Sequence, residues 1–154
     1  MPLARIGIGA NLGDASVTVN AAIDALGRLG TVLRASSLYR TKPWGVTNQP
    51  DFVNAAVLLE TALAPDALLA ALQGLERDFG RTPGPRWGPR ALDLDILTYD
   101  DLSVDGPDLT LPHPRLFERA FVLVPLAEID PSYAPARESL SPQERDQVSL
   151  LSPP

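Results

Sequence analysis

The sequence contains no cysteine, which excludes a disulfide framework and any thiolate metal centre. It has a single histidine, His113, so multi-histidine metal sites are excluded too. No apolar run approaches the roughly 20 residues that a membrane-spanning helix needs. The N-terminal run from Leu3 to Ile8 meets Gly9 and Asn11 too early for a signal-peptide core. Positive charge is in deficit: 13 Lys and Arg stand against 19 Asp and Glu, a formal net charge of -6, which argues against general nucleic-acid binding. No internal repeat is visible. The expectation from these absences is a cytoplasmic protein with no membrane or nucleic-acid partner.

What is present fits one globular domain. A chain of 154 residues, 45% of them hydrophobic, can bury a real core. Sixteen prolines fix many turns and favour long ordered loops over extended helices. Arginines are dense between Arg77 and Arg90, so a local anion site can exist on an acidic chain.

The stretch from Arg86 to Leu97 organises the rest. Its second half alternates, with Leu92, Leu94 and Ile96 on one side of an extended strand and Asp93 and Asp95 on the other. Side chains at i and i+2 start about 7 Å apart, so both carboxylates can reach one divalent cation or clamp a pair. Hard oxygen ligands suit Mg²⁺, which commonly takes one or two carboxylates plus phosphate oxygens. Arg86 and Arg90 bracket the turn at Trp87, Gly88 and Pro89, and guanidinium groups next to a carboxylate pair suit phosphate plus metal. An isolated Asp-x-Asp is more often the polar outer face of an ordinary strand. The preceding Trp-Gly-Pro-Arg favours the site.

Ala4 to Gly9 reads as a strand and Ser16 to Leu29 as a helix, started by Gly13-Asp14 and ended by Gly30. Val32 to Tyr39 reads as a second strand, Arg40 to Pro50 as a loop and Asp51 to Thr61 as a third strand. Phe52 and Asn54 share a face of that third strand. They can stack on a flat heterocycle and pair with its edge, or serve as core and turn cap; the residues alone favour the second use. A helix follows from Pro65, with Leu68, Leu69, Leu72, Leu75 and Phe79 as its apolar stripe and Gly80 at its end. Gln73 and Glu76 lie off the stripe, where solvation is the ordinary outcome. Asp100, Asp101 and Asp105 read as solvated turn carboxylates. Prolines on both sides hold His113 in a rigid extended segment, and a helix covers Val122 to Ile129.

The stretch from Arg86 to Leu97 resembles the signature of the 6-hydroxymethyl-7,8-dihydropterin pyrophosphokinases of folate biosynthesis. So do Gly9 to Gly13, Ser36 to Thr41, Gln49 to Ala56, Leu109 to Leu116 and Arg119 to Glu128. The resemblance runs from Ile6 to Asp130. It implies a transferase that moves pyrophosphate from ATP to the pterin hydroxymethyl group and releases AMP. By resemblance, Thr41, Pro43, Trp44, Phe52, Asn54 and Phe121 contact the pterin. Gln73, Glu76, Arg86, Trp87, Arg90, Ile96, Thr110, His113 and Arg119 contact the nucleotide. Asp93 and Asp95 hold two Mg²⁺ ions and, with Arg86 and Arg90, form the catalytic set. The family usually carries two closely spaced arginines early in the loop after Gly80. Here Thr82-Pro83-Gly84-Pro85 follows Arg81, so Arg90 is expected to carry most of the catalytic positive charge.

The resulting expectation is an α+β protein with a ferredoxin-like antiparallel sheet and helices packed on one face. Residues 1–136 form a single domain, working as a monomer, and 137–154 form a polar, proline-marked tail with weak order at its end. A ferredoxin-like module binding a small effector or RNA is a second reading, and another Mg²⁺-dependent phosphotransferase a third. Pterin-dependent AMP formation separates the first reading from both.

Overall fold

The computed structural model describes residues 1–43, 48–80 and 91–152. The first elements are β1 (Leu3–Ala10), α1 (Ala15–Leu26), β2 (Thr31–Ala35), β3 (Leu38–Thr41) and β4 (Phe52–Glu60). They are followed by α2 (Pro65–Asp78), β5 (Asp93–Tyr99), β6 (Val104–Asp105), β7 (Thr110–Leu111) and α3 (Ala120–Ile129). A single 3-10 turn, Pro131–Tyr133, leads to α4 (Ala134–Glu138), α5 (Pro142–Asp146) and β8 (Val148–Ser152).

The main sheet runs β5-β1-β4-β3-β8, with β2 also on β4, and all its pairings are antiparallel. This is the ferredoxin-like arrangement that the element order implied. Alternation on the strands sorts the two faces. Ile6 and Ile8 of β1, Val57 and Leu59 of β4, and Leu94 and Ile96 of β5 join the buried Leu26 of α1 and Leu68 and Leu72 of α2 in the main core. On the opposite face, Ala56 and Leu97 pack against Leu126 and Ile129 of α3. Helices therefore cover both faces, not one: α1 and α2 pack on the first with the β6–β7 hairpin, and α3 covers part of the second.

Contacts in the fold refine several local readings. Val32 to Tyr39 is two strands, broken at the buried Ser36 and Ser37. The Ser36 hydroxyl accepts from the Ala56 amide, and the Ser37 amide and hydroxyl donate to the Glu128 carboxylate of α3. The first helix ends at Leu26 with Gly27 as its cap. Gly30 serves a different need, since a Cβ there would collide with the Glu60 carbonyl oxygen. His113 immediately precedes the turn at 114–118, its carbonyl accepting from the Leu116 amide. The polar tail, expected to be weakly ordered at its end, packs on the fold through residue 152: β8 pairs with β3, and Leu140 packs on Ala120 and Leu123.

Candidate active site

The half of the second face that α3 leaves open is a cavity of about 600 Å³, within the size range of small-molecule sites. Its floor is set by strand register. Gly9 lies between Asp93 on one side and Asn54 on the other, and Gly7 lies between Asp95 and Ala56. One cross-strand row thus reads Asp93, Gly9, Asn54 and the next Asp95, Gly7, Ala56. Two strand spacings separate the carboxylates from the Asn54 row position, roughly 10 Å. The two glycines keep the space between them clear. A Cβ at Gly9 would sit only 2.9 Å from Asn54 Nδ2.

At the β4 end, Thr41 and Phe52 face each other across the β3–β4 pair, next to Asn54. Phe121 approaches from the first turn of α3, with the Arg119 guanidinium carbon 5.3 Å from its ring centroid, a cation–π contact. All five line the cavity. Thr41 Oγ1 and Asn54 Oδ1 are buried without a hydrogen-bond partner among the described residues. Asn54 Nδ2 makes only a long 3.5 Å donation to the Ile8 carbonyl. Buried polar atoms without partners each cost about 1–3 kcal/mol, so two of them in one cavity mark the place where a ligand's polar edge belongs. Asn11 braces the strand leading into this end, donating to Gln49 Oε1 at 2.8 Å and to the Pro50 carbonyl at 3.0 Å.

At the β5 end, half-buried Asp93 and exposed Asp95 face the cavity. Between them in sequence, the Leu94 amide points the other way and donates to Glu76 Oε2 at 2.9 Å. Glu76 is thereby buried, against the solvated position its place off the apolar stripe suggests, and it fixes β5 from behind. His113 docks on β5 by donating its amide to the Leu97 carbonyl at 2.8 Å. Its Nδ1 accepts from the Arg115 amide at 3.2 Å, which leaves Nε2 as the available donor. Burial pushes its pKa below the ordinary value, Asp95 pulls it up, and Arg119 and Arg115 push it down again.

Among the described residues no group of three or more acidic, histidine or cysteine side chains gathers as a metal site. A pair of carboxylates open to a cavity is nevertheless the donor set Mg²⁺ uses when substrate phosphates complete its shell, so Asp93 and Asp95 fit that ion.

The other sequence-derived site residues fall as follows. Pro43 is half-buried just past β3. The Ile96 side chain lies in the main core, on the far side of the sheet from the aspartates, so only its backbone is open to a nucleotide. Gln73 lies on a separate groove between α2 and the β6–β7 hairpin, with Leu69, Asp108 and Leu109, and Thr110 belongs to that hairpin. Trp44, Arg81, Arg86, Trp87 and Arg90 lie outside the described residues. Several cavity residues escaped the sequence reading: Gly7, Arg115 and Glu118, and from the tail Glu144, Gln147 and Val148. The glycines had a signal, since β1 alternates isoleucine with glycine; the others had none.

The ferredoxin-like sheet thus aligns two carboxylates with an aromatic- and amide-lined pocket that Arg115 and Arg119 also border. The sequence profile of the family described as 7,8-dihydro-6-hydroxymethylpterin-pyrophosphokinase (HPPK) matches residues 5–131, and the chain belongs to that family. It is similar to a 2-amino-4-hydroxy-6-hydroxymethyldihydropteridine pyrophosphokinase of Methylorubrum extorquens, 41% identical over 99% of this chain and 96% of that protein. It is 43% identical to the protein of the same name from Bacillus subtilis, over 82% of this chain and 77% of that one. A mitochondrial folate synthesis bifunctional protein of Pisum sativum is 46% identical over 80% of this chain, which spans only 24% of that longer protein. Among solved structures, a Plasmodium falciparum HPPK-DHPS chain superposes with a TM-score of 0.72, covering 95% of this chain and 46% of that one. At 13% identity that likeness speaks to the fold alone.

Proposed function

We propose that the protein transfers the pyrophosphoryl group of ATP to the hydroxymethyl oxygen of 6-hydroxymethyl-7,8-dihydropterin, with Mg²⁺, in the pyrophosphokinase step of folate synthesis. The observation that carries this reading is the row Asp93, Gly9, Asn54, which puts an amide with an unused oxygen and a carboxylate pair at the two ends of one glycine-floored cavity.

Phe52 and Phe121 hold the pterin ring, and Asn54 Oδ1 and Thr41 Oγ1 take up its polar edge. This directs the hydroxymethyl group toward Asp93 and Asp95. Those two side chains hold the metal, which when bound neutralises phosphate charge and aligns the reacting oxygens. The hydroxymethyl oxygen forms a bond to the β-phosphorus while the bond from that phosphorus to the α,β-bridging oxygen breaks. AMP leaves with the bridging oxygen, and the hydroxyl proton passes to a carboxylate or to water. Arg119 and His113 Nε2 donate to phosphate oxygens as negative charge shifts, and Arg86 and Arg90 are assigned the same task. Burial lowers the His113 pKa from its ordinary value, and an arriving polyphosphate favours its protonation. A monomeric, cytoplasmic enzyme goes with this reading, and light scattering tests the first property.

The deciding experiment incubates the chain with ATP, Mg²⁺ and the dihydropterin and separates the nucleotides by chromatography. AMP formed only when pterin is present is the expected result. ADP would assign a different phosphotransferase, and nucleotide turnover indifferent to pterin would assign neither.

A further inference from the structure

The tail beyond the family-matched residues 5–131 closes the pterin end of the cavity. Val148 of β8 lies directly opposite Thr41 of β3, and the Lys42 amide donates to the Gln147 carbonyl at 3.3 Å. Without β8, the four-residue β3 would be an edge strand held only by its three pairs to β4. With β8 it is bonded on both sides, and Thr41, at its very end, is fixed. The Val148 side chain also packs with Leu140 on Ala120 and Leu123, the start of the helix that carries Phe121. Glu144, Gln147 and Val148 themselves border the cavity. All of these contacts fall at the Thr41 and Phe121 end. None is made to β5, the strand of the aspartates.

We infer that the C-terminal segment, residues 140–152, is a positioning element and outer wall of the pterin subsite. It fixes Thr41 from one side and the first turn of α3 from the other, so pterin affinity depends on it and nucleotide affinity does not. This rests on the pterin reading of the cavity. The AMP assay above tests that reading in the intact chain, so the two can fail separately.

The test removes residues 147–154, which deletes β8 and its bond to Lys42 but keeps Leu140 and α5. Dihydropterin and an ATP analogue with Mg²⁺ are then titrated separately by calorimetry, and thermal unfolding is recorded alongside. The pterin Kd is expected to rise about tenfold or more while the ATP-analogue Kd stays within about twofold. A segment that merely stabilises the whole fold would weaken both ligands alike. Equal losses, or no loss for either ligand, overturn the inference. If the shortened chain does not fold, the full-length double variant Gln147→Ala/Val148→Ala, which keeps the strand, is read in the same way. A pterin Kd raised by about fivefold with ATP unchanged supports the inference, and equal or absent changes refute it.

Discussion

Gly9→Ala isolates the cavity floor from the rest of the fold. Gly9 does not have a positive φ, so alanine meets no backbone strain there. The new Cβ falls 2.9 Å from Asn54 Nδ2, and among the described residues, apart from its chain neighbours, nothing else lies within 4 Å of it. That nitrogen is the far end of a side chain, retained by one 3.5 Å bond to the Ile8 carbonyl, so the amide swings aside and the strand stays. The lost bond offsets an unfolded-state gain of about 0.4–1 kcal/mol from replacing glycine, and stability changes little. Recognition changes more. An amide displaced from a buried ligand edge forfeits about 1–3 kcal/mol, roughly a fivefold to hundredfold weaker pterin Kd. Calorimetry with the dihydropterin measures the loss, and thermal unfolding measures the stability. A pterin Kd within about twofold of wild type would show that Asn54 does not read the pterin. A collapse in stability would show that the floor is rigid and that the contact cannot be relieved by a side chain.

Three further outcomes are expected. Asp93→Asn and Asp95→Asn each cut AMP formation by orders of magnitude at saturating Mg²⁺ with the melting curve preserved, because both side chains face away from the core; near-normal turnover would reject the metal assignment. Glu76→Ala leaves the Leu94 amide without its acceptor and costs about 1–3 kcal/mol of stability, read by denaturant unfolding; no change would mean that water replaces the carboxylate. For Asp130, burial pushes the pKa up, but bonds from the Ser132 hydroxyl and amide and from Arg5 outweigh it and hold the carboxyl below its usual value. A lowered native pKa stabilises the fold above the unfolded-state value of about 3.9 and ceases to do so as pH falls through the native value. The melting-temperature gap between wild type and Asp130→Asn is therefore wide at neutral pH and closes under acid; a gap independent of pH would contradict the assignment.

How much of this could be read from the chain depends on how far apart the partners lie. The alternation in β5 put Asp93 and Asp95 on one face, and the spacing from Leu68 to Phe79 gave α2 its buried stripe, because each is a regularity within a few residues. The order of strands and helices then gave the sheet. The break at Ser36 and Ser37 was hidden because its causes are Ala56 and Glu128. Glu76 was hidden because a polar residue off the stripe looks solvated until Leu94 is placed behind it. The tail was hidden most completely. Its proline-marked, polar composition predicts weak order, and only the free edge of β3 turns Val148–Ser152 into a strand.

The alternation of β1 has an evolutionary corollary. Ile6 and Ile8 point into the core while Gly7 and Gly9 clear the cavity floor, so a one-residue slip of this central strand exchanges the two sets. Isoleucine side chains would then fill the space where substrate belongs, and glycines would leave holes beneath α1 and α2. A single-residue insertion or deletion within β1 thus has no silent outcome and no purely functional one. Folding errors and loss of the binding site therefore coincide.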